Sequence, residues 1–174
     1  MMKSPALQVG SFTFNWGSRT YVMGILNVTP DSFSGDGMIS KGDALELAVG
    51  QAQDFLASGA DILDVGGEST RPGSAPVNAD EEMERVIPII YALNKHFPEA
   101  MISIDTYKAQ VAEEAIKAGA RIINDVWGLR ADDGLALVAA RHKTPVILMH
   151  NRSNPNSCLL YTSPSPRDGL LSRM

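Results

Sequence analysis

Gly59-Ala60-Asp61-Ile62-Leu63-Asp64 has a later echo in Gly119-Ala120-Arg121-Ile122-Ile123-Asn124. Each copy starts on a glycine that can end a helix, runs through an apolar stretch that reads as strand, and reaches a polar residue. A repeated unit of this kind predicts alternating strands and helices, and so an α/β fold. Outward from it, apolar runs occupy residues 21–26, 61–65, 101–104, 121–123 and 145–149. They are rich in Val, Ile, Leu and Met with little polar alternation, as in parallel strands buried on both faces. Ahead of them, residues 7–14 alternate around Gly10-Ser11 and predict a short β-hairpin.

The intervening stretches are helical in period. Asp43 with Glu46 makes a capping-box pattern ahead of Leu45, Ala48, Val49, Ala52 and Leu56, with Gly59 as the stop. Residues 80–95 place Met83, Val86, Ile87, Ile90 and Leu93 on one side, with Pro88 expected to kink or shorten the helix. Thr106 is expected to cap a third helix that Gly119 ends, and Asp132 to start a fourth. Five strand units fit a doubly wound sheet or part of a (β/α)8 barrel, and a complete barrel needs roughly 250 residues. Residues 157–174 carry neither period. They read as a separate tail, disordered or an artefact of joined sequence, leaving 1–156 as the organised part.

Composition narrows the function classes. The 174 residues fit one domain, with 44% hydrophobic and 20% charged residues and a net charge of −5. An acidic chain without a basic block argues against nucleic acid as partner. No apolar run approaches the roughly 20 residues that span a bilayer, so no membrane association is expected. Residues 1–14 hold no apolar h-region, so no secretory signal is expected either. The single cysteine, Cys158, has no internal partner, which fits a reducing, cytoplasmic setting.

Each predicted strand runs into polar residues at its C-terminal edge: Asn27, Asp64 with Glu68, Asp105, Asn124 with Asp125, and His150. In a parallel α/β barrel those edges form the rim that carries the chemistry. Taken singly, each is more simply a cap or a loop hydrogen bond. Two rim loops, residues 27–37 and 66–74, combine glycine, proline and hydroxyl residues and so can expose backbone amides to a ligand. Arg71 on the second offers a forked cation suited to phosphate, or is simply a surface arginine. His96 and His142 fall near helix ends and read as solvated, and Trp16 and Trp127 read as packing residues. No P-loop, GxGxxG, GxSxG or closely spaced Cys/His set is present.

At these residues the chain resembles the dihydropteroate synthases of folate biosynthesis. The resemblance is carried by Met23-Gly24-Ile25-Leu26-Asn27-Val28-Thr29-Pro30-Asp31-Ser32-Phe33-Ser34, by residues 59–73, by Ser103-Ile104-Asp105-Thr106-Tyr107-Lys108 and by Ile123-Asn124-Asp125-Val126. Leu148-Met149-His150 adds a weaker match, and the register extends over about residues 9–155. The resemblance implies a (β/α)8 barrel of which this chain holds about the first five strands. It implies a transferase that joins 6-hydroxymethyl-7,8-dihydropterin pyrophosphate to p-aminobenzoate, releasing pyrophosphate, without a covalent enzyme nucleophile. It further implies that Asn27 helps hold Mg2+ on the pyrophosphate. Thr70 and Arg71 would approach the pterin and phosphate, and Asp105 and Asn124 would hydrogen-bond the pterin ring. Phe33 and Pro72 would shape the p-aminobenzoate pocket where sulfonamides compete.

The family also carries three further βα units, with a second pterin-binding aspartate, a lysine in a Ser-Arg-Lys setting and an Arg-x-His, which this sequence does not show. The resemblance places most of a homodimer surface there as well. The 174-residue polypeptide by itself is therefore expected to be weakly active or inactive. Two other readings are a methyltetrahydrofolate–corrinoid methyltransferase-like pterin barrel and a non-catalytic fragment with an open sheet edge.

Overall fold

The computed structural model describes residues 6–29, 41–69 and 76–149. A hairpin comes first: β1 (Ala6–Val9) pairs antiparallel with β2 (Phe12–Asn15). Five parallel strands follow, with helices between them: β3 (Met23–Asn27), α1 (Lys41–Ala57), β4 (Ile62–Gly66), α2 (Ala79–His96), β5 (Met101–Asp105), α3 (Ala109–Ala118), β6 (Ile122–Asp125), α4 (Gly134–His142) and β7 (Val146–Leu148). The strands lie in chain order, β3-β4-β5-β6-β7. Sequential parallel order with one helix per crossover is the arrangement of a (β/α)8 barrel wall, here an open five-strand arc with an N-terminal hairpin.

Alternation along each strand assigns its two faces. Leu26, Leu63, Val65, Ile102, Ile104 and Ile123 point to the helices and are fully buried with Ala48, Ala52, Val86, Ile90, Leu93, Val111 and Leu135. The alternate residues point to the barrel interior. Val9 and Phe14 of the hairpin pack on Ile62, Met101 and Ile122, closing the interior at its N-terminal end. Phe14 also meets Trp16, stacked at 5.0 Å, and Tyr21, edge-on at 5.0 Å. Arg19 and Asp61 form an ion pair at 2.5 Å, and Val22 N–H donates to Asp61, tying this floor to the entry of β4.

Several expected boundaries shift. Asp43 lies in the first turn of α1, which begins at Lys41. The cap of α2 is Asn78, whose side chain accepts from Glu81 N–H at 2.8 Å. Pro88 does not shorten α2, which runs continuously from Ala79 to His96. Burial of Val86, Ile89, Ile90 and Leu93 against the sheet outweighs the one hydrogen bond proline forgoes. At α3 the expected cap Thr106 gives way to Lys108, which has no side-chain cap bond. The donor of Ala109 is met instead by Asp132 at 2.8 Å, and Asp132 also accepts from Gly134 N–H at 2.8 Å. One carboxylate thus serves the positive ends of two neighbouring helices. Gly59 and Gly119 do end α1 and α3 with positive φ, +91° and +124°.

Candidate functional site

The strand register stacks the interior side chains in tiers. The top tier reads Asn27, Gly66, Asp105 and Asn124 across β3 to β6. The tier beneath reads Ile25, Asp64, Ser103 and Ile122. Asn27, Asp105, Asn124 and Asp125 are therefore at strand ends as expected, and the first three share one level. Asp64 is not at a strand end. The ladder continues two residues further, with Val28 N–H donating to Gly66 C=O at 2.7 Å, so Asp64 lies inside β4 and is 2% exposed.

Gly66 separates the amide of Asn27 from the carboxyl of Asp105. A methyl placed there would stand 3.5 Å from Asp105 Oδ2 and 3.9 Å from Asn27 Oδ1. The two oxygens thus converge over a residue without a side chain, leaving a cradle at the rim. Asn124 Nδ2 donates to Asp64 Oδ2 at 2.9 Å from the far side of β5. Burial pushes the Asp64 carboxyl above its ordinary range. Ser103 and Asn124 favour its charged form, although Ser103 Oγ and Asp64 Oδ1 make no well-aligned hydrogen bond among the described residues. Asp105 is raised to about 7, first by burial and then by the charges of Asp64, Glu82, Asp125 and Glu68. A carboxyl titrating there can be acceptor or donor near neutrality.

Asp125 turns away from the interior. It is fully buried, and its oxygens accept from Trp127 N–H at 2.8 Å and Leu129 N–H at 2.6 Å, which shapes the loop into α4. Glu68 joins a network that the sequence reading did not single out. Lys108 binds both Glu68 and Glu82, and Tyr107 OH donates to Glu68 at 3.2 Å. Arg85 donates to Gly67 C=O at 2.8 Å. Burial works against the Lys108 charge, but its hydrogen bonds to the two carboxylates raise its pKa overall. These contacts fasten the start of α2 to the exit of β4. A signal was present: Glu82 stands one turn before Val86 on the buried stripe of α2, and a glutamate there demands a partner. His142, expected to be solvated, is half-buried with Nε2 3.0 Å from Glu113, because α4 packs its C-terminal turn against α3.

Thr70, Arg71, Phe33, Pro72 and His150 lie outside the described residues, as does the 157–174 tail. Among the described residues no group of three or more His, Cys, Asp or Glu could hold a metal ion. No helix among them is long and apolar enough to cross a membrane.

A parallel β/α barrel arc with converging amide and carboxyl groups at its C-terminal rim is the architecture in which β/α-barrel enzymes carry their sites. Residues 23–165 match the pterin binding enzyme family, and the chain belongs to it. A dihydropteroate synthase of Clostridium beijerinckii is 53% identical over 148 residues, 85% of this chain and 54% of that protein. A solved Clostridium difficile dihydropteroate synthase, determined in the presence of pteroic acid, superposes with a TM-score of 0.76 at 52% identity, over 81% of this chain and 52% of that one. A Xanthomonas albilineans dihydropteroate synthase with 4-aminobenzoic acid gives 0.76 at 42% identity, over 87% and 54%. The chain spans about half the length of the curated relatives it matches.

Proposed function

We propose that this chain supplies the pterin-binding half of a dihydropteroate synthase, a cytoplasmic transferase of folate biosynthesis. The reaction joins 6-hydroxymethyl-7,8-dihydropterin pyrophosphate to p-aminobenzoate, giving 7,8-dihydropteroate and pyrophosphate. The observation that carries this reading is the top tier, where Asn27, Asp105 and Asn124 stand level around the side-chain-free Gly66. Support comes from dihydropteroate synthases at 50–54% identity and from the pteroic acid and 4-aminobenzoic acid named with the solved neighbours.

Asp105 and Asn124 would hold the donor-rich edge of the pterin. A buried carboxyl is tolerable there because the ligand's N–H groups satisfy it. Asn27 would contribute one amide oxygen to Mg2+. A single hard, neutral ligand fits an ion that keeps several waters and is otherwise bound by phosphate oxygens. Bound there, the ion would neutralise charge gathering on departing pyrophosphate. The protein's own share is positioning, holding the electron-poor methylene for the aniline nitrogen. Thr70 and Arg71 would attend the pterin and phosphate, and Phe33 and Pro72 the p-aminobenzoate pocket, where sulfonamides would compete. A homodimer of the longer parent belongs to the same proposal.

Calorimetry of the 174-residue chain with pteroic acid tests the binding half, and release of pyrophosphate tests turnover. Measurable binding with little or no turnover is expected, because the interior wall is open at Ile25, which is 54% exposed. Absence of any pterin binding would overturn the reading, and robust turnover would overturn the expected inactivity.

A further inference from the structure

Asn124 can face a ligand in two ways. Its amide presents an acceptor through Oδ1 or a donor through Nδ2, and rotation by half a turn exchanges them at little steric cost. The pterin reading depends on which is shown. In this structure the choice is made one tier lower. Nδ2 donates to Oδ2 of Asp64 at 2.9 Å, reaching past β5 from β6. With Asp64 ionised, the opposite orientation would set Oδ1 against a buried carboxylate, leaving two acceptors in contact without water between them. Asp64 is itself 2% exposed, in register with Ile25 on one side and Ser103 on the other. Its hydrogen bond to Asn124 links this buried carboxyl to the rim above it.

We infer that Asp64 is a positioning residue for this site: its carboxylate locks the Asn124 amide so that Oδ1 is offered to the ligand. With Asp105 ionised, the rim then presents acceptors side by side, the Asn124 oxygen and the Asp105 carboxylate. That pair selects a planar heterocycle edge carrying adjacent N–H donors, such as an amino group beside a ring N–H. An edge that alternates donor and acceptor meets a mismatch. This inference rests on the pterin reading for the identity of the ligand, but not for the lock itself.

Nuclear magnetic resonance of the 15N- and 13C-labelled 174-residue chain tests the lock directly. In the unmodified chain the Asn124 side-chain N–H signals should exchange slowly with solvent. They should also shift along with the 13C signal of the Asp64 carboxyl as that group titrates, a signal distinct from that of Asp105. In Asp64→Leu the slow exchange should be lost and pteroic acid affinity should fall at least tenfold. Asp64→Asn, which still offers an acceptor oxygen, should recover most of both. Fast exchange in the unmodified chain, or signals indifferent to Asp64, would overturn the inference without recourse to any variant. If the unmodified chain does not bind pteroic acid, the pterin reading falls, and the exchange measurement still decides the lock.

Discussion

On the helix side of the sheet, Leu26, Leu63, Val65, Ile102, Ile104 and Ile123 are sealed in hydrocarbon; on the interior side, above the floor of Ile62, Met101 and Ile122, the alternate residues of the same strands include Ile25, Asn27, Asp64, Ser103, Asp105 and Asn124. One face holds the fold together and the other holds polar groups at the cost of stability. Period-two alternation lets both coexist on one backbone. The lesson is that a residue's distance from the rim matters less to its role than which way its strand turns it.

The largest effect expected is on the helix face. Ile104→Ala removes a fully buried side chain among close-packed neighbours and should destabilise the chain by about 2–5 kcal/mol in a urea titration. A loss below about 1 kcal/mol would mean that the helix layer is not the stabilising one.

Two adjacent glycines sharpen the contrast. A methyl at Gly67 would sit 2.7 Å from Val86 Cγ1 and 3.0 Å from Glu82 Cγ, both on buried side chains. Gly67→Ala should therefore cost about 1–3 kcal/mol of stability. At Gly66 the same methyl finds ordinary contacts, so Gly66→Ala should leave stability within about 0.5 kcal/mol. It would instead occupy the cradle between Asn27 and Asp105 and weaken pteroic acid binding in calorimetry. Reversal of this pair, with Gly66 structural and Gly67 functional, would break the assignment of faces.

Asp105 links the interior face to pH. Its folded pKa, about 7, lies above the ordinary 3.8. The folded chain therefore binds the proton more tightly than the unfolded chain. The resulting stabilisation is complete below about pH 4 and is lost as pH rises toward 7. This one group should lower stability by up to about 1.4 kcal/mol per pH unit across that window. Asp105→Asn should flatten the slope in urea titrations run from pH 4 to 7, and an unchanged slope would remove Asp105 as its source. In a full-length relative the same substitution should weaken pterin binding by about 1–3 kcal/mol, the scale of a lost charged hydrogen bond.

Much of this contrast was legible in the residues. The apolar runs mark five parallel strands, of which β4, β5 and β6 are buried on both faces as expected while the marginal β3 and β7 are not, and the polar ends mark the rim. Asn27, Asp105 and Asn124 could be picked out because each closes a short, mainly apolar run. Asp64 was placed too high, because Val65-Gly66 continues the strand without a pattern that distinguishes strand from loop. Asp132 was rightly placed at the start of α4, where it accepts from Gly134 N–H, but its service to α3 was missed: it reaches Ala109 across 23 positions, and local spacing carries no trace of a tertiary hydrogen bond. Lys108 escaped because a lysine after a strand reads as solvated, and only the fold shows that Glu68 and Glu82 flank it.

The smallest effect belongs to Ile25, an exposed apolar residue of the interior face. It is as hydrophobic as Ile104 and lies in the middle of β3, yet it is 54% exposed. Little of its surface leaves water on folding, so Ile25→Ser should change stability by no more than about 0.5 kcal/mol. Ile147 of β7, level with Asn124, is open in the same way at the other margin of the arc. The experiment pairs a urea titration with sedimentation of the 174-residue chain at several concentrations. If Ile25→Ser costs more than about 2 kcal/mol, something covers the interior face in solution. A parent that sediments as a dimer while the variant sediments as a monomer would identify the cover as a second copy. A small effect in a monomer would instead show that the sealed helix face alone supports the arc, with the interior left free for its ligand.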